Sequence, residues 1–189
     1  MLKLIDSPVR ILDVGGTVDY WIGNSDLLPV GIQLTILNLD KLDTKRLSDA
    51  RSVIGDARKM PFSDQEFDAV FSNSVIEHVG TLYDQMAMAQ EIQRVAKRYF
   101  VQTPNRYFPI EPHFIFPIWQ FLPLWFRAWL HSHTTLGWMT RESDAFRARA
   151  NVEQLRLLSS NEMKRLFPTG RLIRENFGLL TKSLIALRD

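Results

Sequence analysis

The sequence predicts a doubly wound α/β fold built on a mostly parallel sheet, and three observations predict it. Short apolar runs bounded by chain breakers recur through the first hundred residues. Their length suits strands buried on both faces, as in a parallel sheet. An amphipathic helical pattern precedes another such run, so helical and strand signals alternate. The first run closes on two adjacent glycines, the mark of a strand that empties into a tight turn.

The runs are Arg10–Val14, Thr35–Leu39 and Ala69–Ser72, with a fourth at Tyr99–Thr103. The helix is expected over Thr81–Lys97, where Leu82, Met86, Ala89, Ile92 and Val95 share a face. Further on, Ser160–Phe167 reads as a helix capped by Ser159 or Ser160. Arg171–Leu179 and Lys182–Leu187 then read as two strands joined at Gly178. Between them, residues 104–138 break the rhythm. That stretch holds five of the nine prolines, four of the five tryptophans and three of the four histidines.

The bulk numbers set bounds. A chain of 189 residues with 46% apolar and 23% charged side chains is one ordinary globular domain, large enough to bury a core. The expected layout is therefore a single domain over 1–189 with an insertion at about 104–158. A net charge of +2 makes no case for nucleic-acid binding. The absence of cysteine excludes disulfides, thiol catalysis and cysteine-ligated zinc. Met1–Asp6 has no long apolar core of a signal peptide, so a cytoplasmic location is expected by default.

The glycine turn carries chemistry as well as shape. Asp13 and Asp19 flank it with no Lys or Arg between them. Two acids would repel a nucleotide pyrophosphate and attract a cationic ligand, which points away from NAD and ATP. S-adenosyl-L-methionine (SAM), with its ammonium and sulfonium, is such a ligand. Ligands of open α/β sheets bind at strand ends. There Asn38 and Asp40 could bond ribose hydroxyls, and the carboxylate of Gly55-Asp56-Ala57 could accept from an adenine amino group. A fourth element, Phe67 through Val79, is a strand that runs into a polar turn and a helix.

The order Ile11-Leu12-Asp13-Val14-Gly15-Gly16, then Gly55-Asp56-Ala57, then Phe67-Asp68-Ala69-Val70-Phe71-Ser72-Asn73-Ser74-Val75-Ile76-Glu77-His78-Val79 resembles the class I SAM-dependent methyltransferases, specifically the type 11 small-molecule group. Arg94–Asn105 is similar to that family's helix and fifth strand, and Leu179–Ala186 to its closing hairpin. The resemblance implies a Rossmann-like seven-stranded sheet with an antiparallel last strand and an insertion after the fifth. It implies that Asp13, Gly15 and Gly16 hold the methionyl part of SAM. Asn38 or Asp40 would take the ribose, Asp56 with Ala57 the adenine, and Asn73 would lie beside the reacting methyl. The chain departs from the family's Gly-x-Gly-x-Gly, because Thr17 and Asp19 stand where glycines are expected. Asn38 also replaces the usual acid, and only eight residues precede the first strand.

Phe114–Phe126 is apolar except for Gln120 and holds two prolines, so it cannot span a bilayer as a helix. It reads as a structural insertion, as a lid over an apolar acceptor, or as a peripheral membrane contact through 114–130 with Trp119, Trp125, Trp129 and Arg127 at headgroup level. Glu111 and His113 follow the fifth strand and are the candidates for acceptor deprotonation. The alternative is that Glu111 pairs with an arginine and His113 caps a turn. His78 suggests a structural hydrogen bond. His131 and His133 lie at i, i+2, on opposite sides of a helix with no evident third ligand, so no metal is expected there. Arg141, Arg147, Arg149 and Arg156 read as a solvated face or a grip on an anionic acceptor.

The expected function is methyl transfer from SAM to an oxygen or nitrogen of a small or lipid-like acceptor. One rival is a non-catalytic scaffold with a drifted glycine loop, and another is a nicotinamide-dependent oxidoreductase.

Overall fold

The computed structural model describes residues 9–25, 31–111 and 113–189. The expectation about Met1–Asp6 lies outside them. Seven strands form one sheet: β1 (Val9–Val14), β2 (Ile32–Asn38), β3 (Ala50–Ile54), β4 (Phe67–Asn73), β5 (Ala96–Pro104), β8 (Arg171–Phe177) and β9 (Leu180–Arg188). Their order is β3-β2-β1-β4-β5-β9-β8. The first five strands pair in parallel, and β9 runs antiparallel to both β5 and β8. The doubly wound sheet with a reversed last strand is as expected. A separate pair, β6 (Ile110–Glu111) and β7 (Phe116–Pro117), follows β5.

β1 explains how one strand serves two layers. Successive side chains leave a strand on opposite faces. Val9 and Ile11 join Trp21, Ile32, Leu34 and Ile36 on one side. Leu12 and Val14 join the larger cluster on the other. That cluster is covered by the helices α2 (Leu82–Val95) and α5 (Ser160–Leu166).

Both helices start on a reciprocal capping box, Thr81 with Asp84 and Ser159 with Glu162. The buried face of α2 consists of Gln85, Met88, Ala89, Ile92 and Val95, so Met88 takes the core place expected for Met86, which is 40% exposed. The helix also stops at Val95 rather than Lys97. Ala96 and Arg98 pair with Phe67 and Ala69 in the sheet, and that ladder pulls them out of the helical pattern.

Three elements escape the sequence patterns. The edge strand β3 has Arg51 and Ser52 in place of an apolar run, and its backbone ladder with Leu34–Asn38 supplies what its side chains do not. The short helix α1 (Val18–Gly23) begins on Thr17, whose hydroxyl accepts from the Tyr20 amide. The insertion contains α3 (Leu124–His133) and α4 (Ala145–Gln154). These share a small core of Phe114, Trp119 and Val152. Gln85 ties the insertion to α2 by donating to the carbonyls of Ile76 and Arg156 while accepting from the Arg156 guanidinium. Among the described residues no helix is long and apolar enough to cross a membrane.

Candidate active site

A cavity of about 510 Å³ opens at the carboxyl ends of β1 to β4. Gly15, Asn38, Gly55 and Ser74 each follow or end one of these strands and line it, together with Leu37, Leu39, Asp56, Ala57, Arg58, Val75, His78, Val79, Gly80 and Gln154. Of the residues expected to hold a cofactor, Gly15, Asn38, Asp56 and Ala57 line this space. Asp13, Gly16, Asp40 and Asn73 lie outside its lining.

The glycine turn is built as much for protein packing as for a ligand. Gly15 has a φ of +77°, and a Cβ there would strike the methyls of Val75. A Cβ on Gly16 would overlap the carboxylate of Asp13. Asp13 is fully buried, and its Oδ2 accepts from the indole N–H of Trp21 at 2.5 Å. Burial raises its pKa to about 7, against the opposing pull of that hydrogen bond. Asn38 donates to the Gly16 carbonyl, a bond that an acid could not make, and its own side-chain oxygen accepts from Leu39 N–H. The departures at Thr17 and Asp19 also find uses. Thr17 caps α1, and Asp19 in its first turn pairs with Arg46 at 3.3 Å.

Arg58 is the one arginine or lysine in the described lining, and two acids hold it. Its backbone and guanidinium donate to Asp56, and its other arm reaches Asp84 at 2.9 Å. The hydrogen bonds from Arg58 hold the Asp56 carboxyl below its ordinary range. A cation engaged in this way offers nothing to a pyrophosphate. The volume lies within the usual span for small-ligand sites, about 300–1,000 Å³. Carboxylate and apolar walls together fit the nucleoside half of SAM.

A second cavity, about 590 Å³, lies on the other side of Ser74. Ser74 lines both spaces, with a φ of +55° and its hydroxyl bonded to Gln102. The remaining walls are largely apolar: Pro104, Phe108, Ile110, Ile115, Trp138 and Phe177, with His113 and Lys182.

Four titratable groups meet where the cavities adjoin. His78 lines the first cavity and His113 the second, and their Nε2 atoms are 3.0 Å apart. Glu111, fully buried, sets one oxygen on His113 Nδ1 at 2.6 Å and accepts from Phe114 N–H with the other. Its partner is thus a histidine rather than an arginine. Burial pulls the His113 pKa down, but the bond to Glu111 and the charges of Glu111 and Glu77 outweigh it, leaving it above the usual histidine value. His78 is pushed the other way, to about 4, by protein crowding on the cleft floor and by its neighbour His113. Burial raises Glu77 to about 7. The sequence signal for this grouping is that Glu77-His78 follows β4 and Glu111 and His113 follow β5, which are adjacent strands. Ser74 and Val75 lie inside the Phe67–Val79 motif, which gives them no role of their own, whereas Arg58, Trp138 and Phe177 belong to no motif and are found only by the fold.

The other singled-out residues lie apart. His131 is buried edge-on against Phe114, and exposed His133 stacks on Trp129. Trp119 is buried against Phe114, and Arg127 is partly buried with its Nε unpartnered, so neither sits on the exposed face where headgroup contact was expected. Arg149 pairs with Glu153, and Arg156 with Glu162. Arg141 donates to the Ser132 carbonyl, and Arg147 stands exposed in the first turn of α4.

Comparison with known proteins agrees with this fold. The family model described as a methyltransferase domain matches residues 25–99. No curated protein sequence matches the chain. Among solved structures, a SAM-dependent methyltransferase from Methanosarcina mazei is 13% identical with a TM-score of 0.57, covering 98% of this chain and 93% of that one. A SAM-dependent methyltransferase from Aquifex aeolicus is 12% identical with a TM-score of 0.57, covering 95% and 81%. The 1,6-didemethyltoxoflavin-N1-methyltransferase of Burkholderia thailandensis, solved with its substrate and S-adenosylhomocysteine, is 12% identical with a TM-score of 0.57, covering 95% and 70%. Residues 25–99 thus match a methyltransferase-domain model, and the chain shares the fold of these SAM-dependent methyltransferases.

Proposed function

We propose that this protein transfers the methyl group of SAM to an oxygen or nitrogen of an apolar, small or lipid-like acceptor. The observation that carries the reading is the pair of cavities sharing Ser74, one of mixed carboxylate and apolar walls at the strand ends and one walled by Ile, Phe and Trp side chains. Bound SAM supplies a methyl group on a sulfonium, open to in-line attack. The chain's own contribution is to hold two ligands in register, which is where most of the rate of such a displacement arises.

Gly15, Asn38, Asp56 and Ala57 are assigned to the nucleoside end of the cofactor. Asp13 and Gly16 support that assignment from beneath the turn, Asp13 by bonding Trp21, while Asp40 and Asn73, exposed beside the ends of β2 and β4, stay outside the lining. Glu111 is a positioning residue that orients His113, and His113 takes the acceptor's proton. The exposed apolar groups that line the second cavity, Ile110, Ile115 and Trp138, and those elsewhere in the insertion, Ile118, Phe121 and Trp125, favour an acceptor drawn from an apolar phase, with 114–130 resting on a membrane surface.

Calorimetric titration with SAM and S-adenosylhomocysteine tests the cofactor assignment. Saturable binding in the micromolar range is expected, and no detectable heat would overturn it. His113→Ala should then lower kcat by about 10²–10⁴-fold with little change in cofactor affinity. A kcat within error of the wild type would remove His113 from the chemistry.

A further inference from the structure

We propose that Glu77, His78 and His113 form a divalent transition-metal site in the wall between the two cavities. Each offers one donor atom, and the three lie within 4.8 Å of one another. The two imidazoles meet edge to face at 87°, with their Nε2 atoms 3.0 Å apart. Two nitrogens sharing one tetrahedral Zn²⁺ at Zn–N distances of about 2.0 Å stand about 3.3 Å apart, so this separation needs little adjustment. A hydrogen bond between the rings uses one lone pair, whereas a cation would use both.

Glu77 is the independent observation. Its side chain is fully buried, its Oε2 accepts from Thr103 at 2.9 Å, and its Oε1 has no partner. A buried carboxylate oxygen left unpaired is costly, and a cation is what would satisfy it. An outer layer is also in place. Glu111 holds His113 Nδ1, the arrangement that fixes the tautomer and direction of metal-bound imidazoles. Two imidazoles and one carboxylate suit Zn²⁺ and its first-row neighbours, and a set of three protein ligands leaves a position for an outside oxygen.

The ligand at that position would be an acceptor carrying a metal-binding oxygen on an apolar body. This rests on the reading that the second cavity seats the acceptor. Base and ligand roles both need His113 Nε2, so the imidazole would take the acceptor's proton in the metal-free protein, and with an ion bound the coordinated oxygen would release that proton to solvent.

Cobalt(II) is the probe, used on metal-stripped full-length protein without SAM or acceptor. About one equivalent should survive dialysis and give the intense visible bands of a low-coordinate ion. His113→Ala and Glu77→Gln should each weaken binding about tenfold or more, while His133→Ala, on the exposed face of α3, leaves it unchanged. Loss of cobalt on dialysis would overturn the proposal. So would binding that survives in both His113→Ala and Glu77→Gln. Because SAM binding is titrated separately, a chain that binds SAM but not cobalt loses only the metal site. A chain that binds cobalt but not SAM loses only the methyltransferase reading.

Discussion

Asp13 sits in the sheet interior with one oxygen on an indole N–H and the other without a partner. Its pKa of about 7 in the folded protein lies above the ordinary 3.8. Between these values the folded state holds more protons than the unfolded one, so stability falls as pH rises from about 4 to 7 and levels off above. Asp13→Asn keeps an acceptor for Trp21 and removes the charge. Melting temperatures at pH 5 and pH 8 should converge in this variant relative to wild type, though not completely, because Glu77 contributes a slope of the same sign. Gly15→Ala makes a different demand. The left-handed backbone alone costs a side chain about 1–2 kcal/mol, and the new methyl meets Val75. A lowered melting temperature and loss of SAM-dependent stabilisation are expected, and an unshifted thermal scan would count against the packing argument. The glycine pair was legible in the sequence because few other residues tolerate such a turn. That its neighbours would be Val75 and Asp13 was not legible, since only the fold brings the turn after β4 onto the turn after β1.

Among the elements, α2 shows how a polar residue can be part of a core. Gln85 bridges the 3₁₀ turn after β4, the helix itself and the end of the insertion with three hydrogen bonds. Gln85→Ala removes a donor from the carbonyls of Ile76 and Arg156 and an acceptor from one arm of the Arg156 guanidinium, and should cost about 1–3 kcal/mol in urea unfolding. An unchanged m-value would show that the loss is local rather than a change in compactness. The apolar period of α2 was legible, but its phase was not. A stripe drawn through apolar residues alone takes in Met86 and passes over Gln85, whereas the buried face holds Gln85 and Met88. β3 went unread for a related reason. Edge strands need backbone partners more than apolar side chains, and a charged Arg51 is compatible with that role.

The molecule as a whole divides its work between a sheet with two covered faces and an insertion with a small core of its own. The insertion's buried cluster is three side chains, against twenty in the main one. Local opening follows buried contacts, so amides of α3 should exchange with deuterium well before those of β1 and β4. Equal protection across these segments would show the insertion to be an integral part of the main cooperative unit. The alternation of strands and helices made the sheet readable, and the order of motifs made its strand ends readable as a site. The second cavity was not, because its walls come from the turn after β4, from β5, the insertion and the closing hairpin, which share no local pattern.

Ser74 is common to the linings of the two cavities, so the spaces adjoin there. A compound joining an adenosine head to an apolar tail would therefore need only a short tether to lie across it. Once the head is seated, the tail would search its pocket at an effective concentration of about millimolar, so that two weak fragments add up to one tight inhibitor. On the proposed function, the wall the cavities share at Ser74 would also open the site to a single molecule that imitates both substrates.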